Sequence, residues 1–111
     1  MSAISKTQIR AAVLPSNLNG SLWFAFLRNH SMHPEIWIEF ARLTLSLIAN
    51  GRTHYGAKAI MEVVRFNTSI RGSGEFKVNN NHTAFYARVW CLTYPEYETF
   101  FETRDRALEA A

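Results

Sequence analysis

Gly51-Arg52-Thr53-His54-Tyr55-Gly56-Ala57-Lys58-Ala59-Ile60-Met61-Glu62-Val63-Val64-Arg65-Phe66 opens the stretch that decides how this chain is read. Glu75-Phe76-Lys77-Val78-Asn79-Asn80-Asn81-His82-Thr83-Ala84-Phe85-Tyr86-Ala87-Arg88-Val89-Trp90-Cys91-Leu92 closes it. Ala57, Ile60, Met61 and Val64 recur at helical spacing and define an inner stripe, with Lys58, Glu62 and Arg65 turned outward. Thr53 has the side chain to cap this helix, and Asn67-Thr68 marks its expected end. Arg71-Gly72-Ser73-Gly74 is a tight-turn sequence, and Ile70 and Phe76-Lys77-Val78 flank it as the arms of a small β-hairpin. Asn79, Asn80 and Asn81 then open a second helix to about Tyr94, with Phe85, Val89 and Leu92 on its core side.

Working outward, the preceding segment reads as a central helix. Pro34 suits the first helical position, and Glu35 and Glu39 complement the helix dipole in the opening turns. Ile36, Trp37, Phe40, Ala41, Thr44, Leu47 and Ile48 follow the spacing of one face, and Asn50-Gly51 stops it. Leu22 to Leu27 is a short apolar run that periodicity assigns equally to a helical turn or a strand. Residues 1–20 read as a mobile or loosely docked arm, residues 21–108 as one helical domain, and residues 109–111 as a frayed tail. Pro95 is expected to start a last helix to about Leu108, with Tyr97, Phe100, Phe101, Arg104 and Leu108 on one stripe. The fold class is therefore mainly α: a compact helical domain with a small β-hairpin, of helix-turn-helix or winged-helix type.

Charge is uneven along this frame. Between Gly51 and Trp90 there are six basic residues (Arg52, Lys58, Arg65, Arg71, Lys77, Arg88) against Glu62 and Glu75, a balance of +4. The remainder sums to −1, so the whole formal excess of +3 sits in the central unit. Such a concentration fits either a polyanionic partner or an ordinary solvated face.

Cys91 is the single cysteine, which rules out an intrachain disulfide and a cysteine-built zinc site. Its aliphatic surroundings point to a buried, inert thiol. His30 and His33 are three apart but Pro34 interrupts the helix that would align them, while His54 and His82 stand alone. No metal or other cofactor is expected. Gly72-Ser73-Gly74 is followed by Glu75-Phe76 and not by the Lys-Ser/Thr of a phosphate loop, and no nucleophile elbow occurs, so no enzyme is expected. No apolar run is long enough to span a bilayer.

Helix, helix, hairpin, helix is an order in which one helix can present its opening turn to base edges. Asn79, Asn80, Asn81, His82 and Thr83 form that turn here. Asn pairs with adenine N6 and N7, and Thr touches a thymine methyl. Arg52, Lys58, Lys77 and Arg88 flank the two helices and are expected on one solvent face, reaching phosphates. The competing reading makes the Asn run a cap plus loop. Tyr86, Trp90 and Tyr94, if exposed, would offer a stacking platform for single strands.

Pro34-Glu35-Ile36-Trp37 with Phe40, Gly51 with Tyr55-Gly56, Lys58-Ala59-Ile60 with Glu62 and Arg65-Phe66, Phe76 to Asn80, Tyr86-Ala87-Arg88, and Phe100-Phe101-Glu102 with Arg104 come in an order that resembles small proteins encoded by bacteriophages and prophages. The resemblance covers about two thirds of the chain. It implies a small protein working in the cytoplasm of a bacterial host, and it assigns no catalytic residue. The sequence-level expectation is thus a non-enzymatic accessory or regulatory protein that binds double-stranded DNA, as monomer or homodimer. The alternative is a phage protein that inhibits or redirects a host protein such as a defence nuclease.

Overall fold

The computed structural model describes residues 9–70 and 80–101, with the side chains of 68–70, 80 and 81 outside that description. The elements in order are α1 (Ser21–Met32), α2 (Pro34–Ala49), α3 (Ala57–Ile70), α4 (Asn80–Thr93) and a 3-10 turn at Pro95–Tyr97. The architecture is a mainly helical, compact one.

Helix α2 is built as its sequence dictates. Pro34 stands at its start, and as a proline it drives His33 out of the helical region (φ −133°, ψ 65°), which separates α2 from α1 by a single residue. Ile36, Trp37, Phe40, Ala41 and Thr44 are buried. The Thr44 hydroxyl donates to the Phe40 carbonyl at 2.7 Å, so its burial leaves no unmet donor. At the other end Gly51 takes φ 91°, its amide donates to Ile48 O, and the Arg52 amide donates to Leu47 O. That pair of bonds is the glycine stop known as the Schellman motif. Glu39, read from sequence as a dipole partner, is buried. Its carboxylate accepts from Arg42 Nε and Nη2 (3.0 and 2.7 Å) and from Asn67 Nδ2 of α3 (2.8 Å).

The apolar run 22–27 resolves as helix. Trp23 and Phe26 turn inward from α1, while Leu22 and Phe24 face solvent.

Helix α3 starts later and ends later than its sequence implies. Thr53 does not cap it; its hydroxyl lies against His54 Nδ1 (3.4 Å), and the first helical carbonyl is that of Gly56, which accepts from the Ile60 amide. The intervening backbone is committed elsewhere, because the Tyr55 amide donates to Phe100 O at 3.2 Å. Asn67 does not stop the helix, since its side chain is held by Glu39 and cannot compete for backbone groups. Ile70, expected as a strand residue, is the last residue of α3. The turn 71–74 and the second arm, Phe76 to Val78, lie outside the described residues. Among the described residues no strand occurs, so the hairpin has no support.

The helix expected from Pro95 is replaced, through residue 101, by one 3-10 turn and further turns. The carbonyls of Tyr97 and Glu98 face α4 and accept from Trp90 Nε1 (3.1 Å) and Cys91 Sγ (3.3 Å). This tertiary bonding folds Phe100 and Phe101 back into the core. Residues 102–108 of that expected helix lie outside the described residues.

The core is one aromatic cluster, and Trp37, Phe40, Ile60, Val64, Phe85, Val89 and Phe101, the residues that helical phase selects, are all in it. Helix α4 supplies its centre. Phe85, Tyr86, Val89, Trp90 and the following Tyr94 are buried, with Trp90 stacked on Tyr94 at 4.3 Å and Tyr86 edge-on to Phe26 at 4.8 Å. Leu92, assigned to the core side by sequence, is instead exposed.

The segment expected as a mobile or loosely docked arm is bonded to the domain from residue 10 onward, while residues 1–8 lie outside the described residues. Arg10 grips Glu96 through both terminal guanidinium nitrogens, Nη1 and Nη2 (2.9 and 2.6 Å), and Nη1 also reaches Thr93 O (3.0 Å). Its amide donates to the Tyr94 hydroxyl, its carbonyl accepts from Trp37 Nε1, and its guanidinium lies 4.6 Å over the Tyr94 ring. The Val13 amide donates to Thr93 Oγ1, Pro15 is buried, and Ile9, Ala12 and Leu18 pack on the cluster.

Candidate nucleic-acid interface

The residues expected to meet DNA are divided by the fold. Arg52 is exposed on the connection leading into α3, and Lys58 is exposed in the first turn of α3. Asn80 and Asn81 are the first two residues of α4, so neither occupies the cap position in front of it. Asn79 and Lys77 lie outside the described residues. Thr83 and Arg88 are half-buried, and His82 is buried at 6% exposure.

His82 therefore belongs to the interior. Its ring meets the Phe26 ring edge-on at 5.9 Å, and burial pushes its pKa below the usual histidine value. A base contact from this side chain is ruled out by its position. Tyr86, Trp90 and Tyr94 are likewise buried, which removes the single-strand stacking platform. Among the described positions of α4 from His82 to Cys91, none is fully exposed. Thr83, Ala84, Arg88 and Cys91 are half-buried, and Leu92 is exposed.

The two parts of the expected interface also lie apart. The Tyr55–Phe100 bond holds the start of α3 beside the segment that follows α4, so α4 runs back along α3. Arg52 and Lys58 stand at that end. The opening turn of α4 stands at the other, roughly 20 Å away for helices of this length.

What the fold does expose is the outer side of α3. Lys58, Glu62 and Arg65 are exposed along one edge of it, and Ala59, Val63 and Phe66 along the adjoining edge. Phe66 is 64% exposed and Val63 44%. Lys58 and Arg65 are two turns apart and share a direction, with Glu62 between them.

A second polar group has no signature as a unit in the sequence. Where α1 meets α2 and α4, His30 stacks parallel to Phe26 at 5.9 Å and meets Tyr86 edge-on at 6.2 Å. Asn29 Nδ2, His30 Nδ1 and the Tyr86 hydroxyl are all buried without a hydrogen-bond partner. Burial lowers the pKa of His30. Burial and, secondarily, the charge of Glu35 raise that of Tyr86 well above the usual tyrosine value. Glu35 itself meets His33 Nδ1 at 3.3 Å. The available signal was phase: His82, Phe85, Tyr86, Val89 and Thr93 share one face of α4, and all five are buried.

Among the described residues no three of His, Cys, Asp or Glu are placed to hold a metal ion. None of the described helices is long and apolar enough to cross a membrane. Cys91 is half-buried, its thiol bonded to Glu98 O. The chain matches no known protein family, no curated protein and no solved structure.

Proposed function

We propose that this chain is a non-enzymatic DNA-binding accessory or regulatory protein of phage or prophage origin, acting in the cytoplasm of its bacterial host. It meets the phosphate backbone of duplex DNA through the exposed edge of α3. The observation that carries the reading is the exposure of Arg52, Lys58 and Arg65 around one helix with Glu62 as the acidic residue among them, a local balance of +2. Backbone contacts of this kind give affinity and register without reading sequence. In helix-turn-helix terms α3 and α4 would be the helix pair, but α4, with His82 and Tyr86 buried, is not used as the recognition helix here.

Fluorescence anisotropy with a random duplex at two salt concentrations tests the reading. Binding should weaken as salt rises, and Lys58→Ala should flatten the logarithmic salt slope by about one unit. Absence of binding at low salt, or binding indifferent to salt, refutes it. A second reading, a phage protein that binds a host protein, is favoured by the exposed Leu22, Phe24 and Met32 of α1. It takes precedence if the duplex is not bound.

A further inference from the structure

The apolar edge of α3 calls for an occupant. Ala59, Val63 and Phe66 follow the four-then-three spacing of a helix–helix seam, all three are exposed, and Phe66 is the second most exposed large apolar side chain described. The geometry points to a second copy of this chain, packed α3 against α3 in antiparallel fashion about a two-fold axis at Val63. In that arrangement the stripe complements itself. Val63 meets Val63 of the other copy, while small Ala59 meets large Phe66, so bulk on one side faces room on the other. On the flank of the same seam Glu62 of one copy comes opposite Arg65 of the other, which matches opposite charges across the contact. A parallel pairing would instead set Phe66 on Phe66 and Ala59 on Ala59.

The pairing has a geometric consequence that rests on the DNA reading above. A two-fold axis that relates antiparallel helices is perpendicular to both, so it leaves the flank on which Lys58 lies on the same side in each copy. Arg65 and Lys58 of both copies then border one common face, and the +1 of each α3 (Lys58 and Arg65 against Glu62) becomes +2. A parallel pair would place the two flanks on opposite sides. A seam of one short helix is at the small end of protein interfaces, so the dimer forms reversibly and with concentration.

Sedimentation velocity over a wide concentration series reads the association directly. The wild type should move from monomer to dimer, while Val63→Glu should stay monomeric and keep the wild-type circular dichroism spectrum and melting temperature. In a Cys91→Ser background under mild oxidant, Val63→Cys should cross-link to itself. Ala59→Cys should not cross-link alone, but should cross-link when mixed with Phe66→Cys. A wild type that remains monomeric throughout, or an Ala59→Cys that cross-links to itself as well as Val63→Cys does, overturns the proposal. DNA affinity is a separate readout: Val63→Glu should lose about half of the wild-type salt slope. A dimer that binds no duplex would leave the seam standing and remove the DNA reading.

Discussion

Replacing Tyr86 by Phe should stabilise this protein, against the usual cost of trimming a core side chain. The ring is fully buried among Phe26, Phe40 and His30, and Phe preserves every one of those ring contacts. The only group lost is the hydroxyl, which is buried and has no hydrogen-bond partner. An unmet buried polar group costs about 1–3 kcal/mol relative to its solvated state in the unfolded chain. Removing it should recover a good part of that, so a gain of about 1 kcal/mol is a conservative expectation. For a domain near this size that gain raises the melting temperature by roughly 4 °C or more. Urea unfolding followed by tryptophan fluorescence, with the m-value held as a check that the unfolded state is unchanged, gives the number directly. A loss of about 1 kcal/mol would refute the reasoning, because it would mean that the hydroxyl is bonded to an internal water.

Phe40→Ala should lower stability by about 3–5 kcal/mol in the same assay, since Phe40 is fully buried against Trp37, Tyr86 and Phe101; an unchanged midpoint would contradict the placement of α2. Gly51→Ala should cost about 1–2 kcal/mol purely through backbone strain, because Gly51 has φ 91° and an added Cβ would meet nothing within 4 Å; a neutral result would mean that the α2 stop relaxes freely. Stability should also depend on pH through His30 and His82, whose folded pKa values burial depresses. Below the ordinary histidine value of about 6.5 the unfolded chain binds protons that the folded chain refuses, so stability is full above that pH and falls as the pH drops through it. Melting temperatures across pH 5 to 8 should show this slope, and a flat profile would place both imidazoles in contact with water.

The parts of the fold that were legible in sequence are those whose causes are local. From Pro34 to Gly51 the start signal, the apolar phase and the glycine stop are all contained in the segment, and α2 has those bounds. The misread parts take their bonds from far away. The Tyr55 amide answers to Phe100, which delays α3, and Trp90 and Cys91 turn the Tyr97 and Glu98 carbonyls away from a regular helix. Asn67 looks like a helix breaker until Glu39 is seen to hold it. The candidate site suffered from the same limit. Three consecutive Asn residues advertise a helix start, and α4 does begin there, but whether the next side chain points out or in depends on α1. Phe26 of that helix lies against His82.

The Arg10 contacts also set an order of events during synthesis. This residue leaves the ribosome well ahead of the groups it binds, because Thr93, Tyr94 and Glu96 are made more than eighty residues later. At about 5–20 residues per second the N-terminal segment waits several seconds without its ligands. Trp37 waits with it, because its indole N–H is satisfied by the Arg10 carbonyl. The latch on this domain is therefore threaded long before it can be fastened. A nascent chain stalled before Thr93 should leave the segment around Arg10 open to proteases that cannot cut it once Glu96 has emerged.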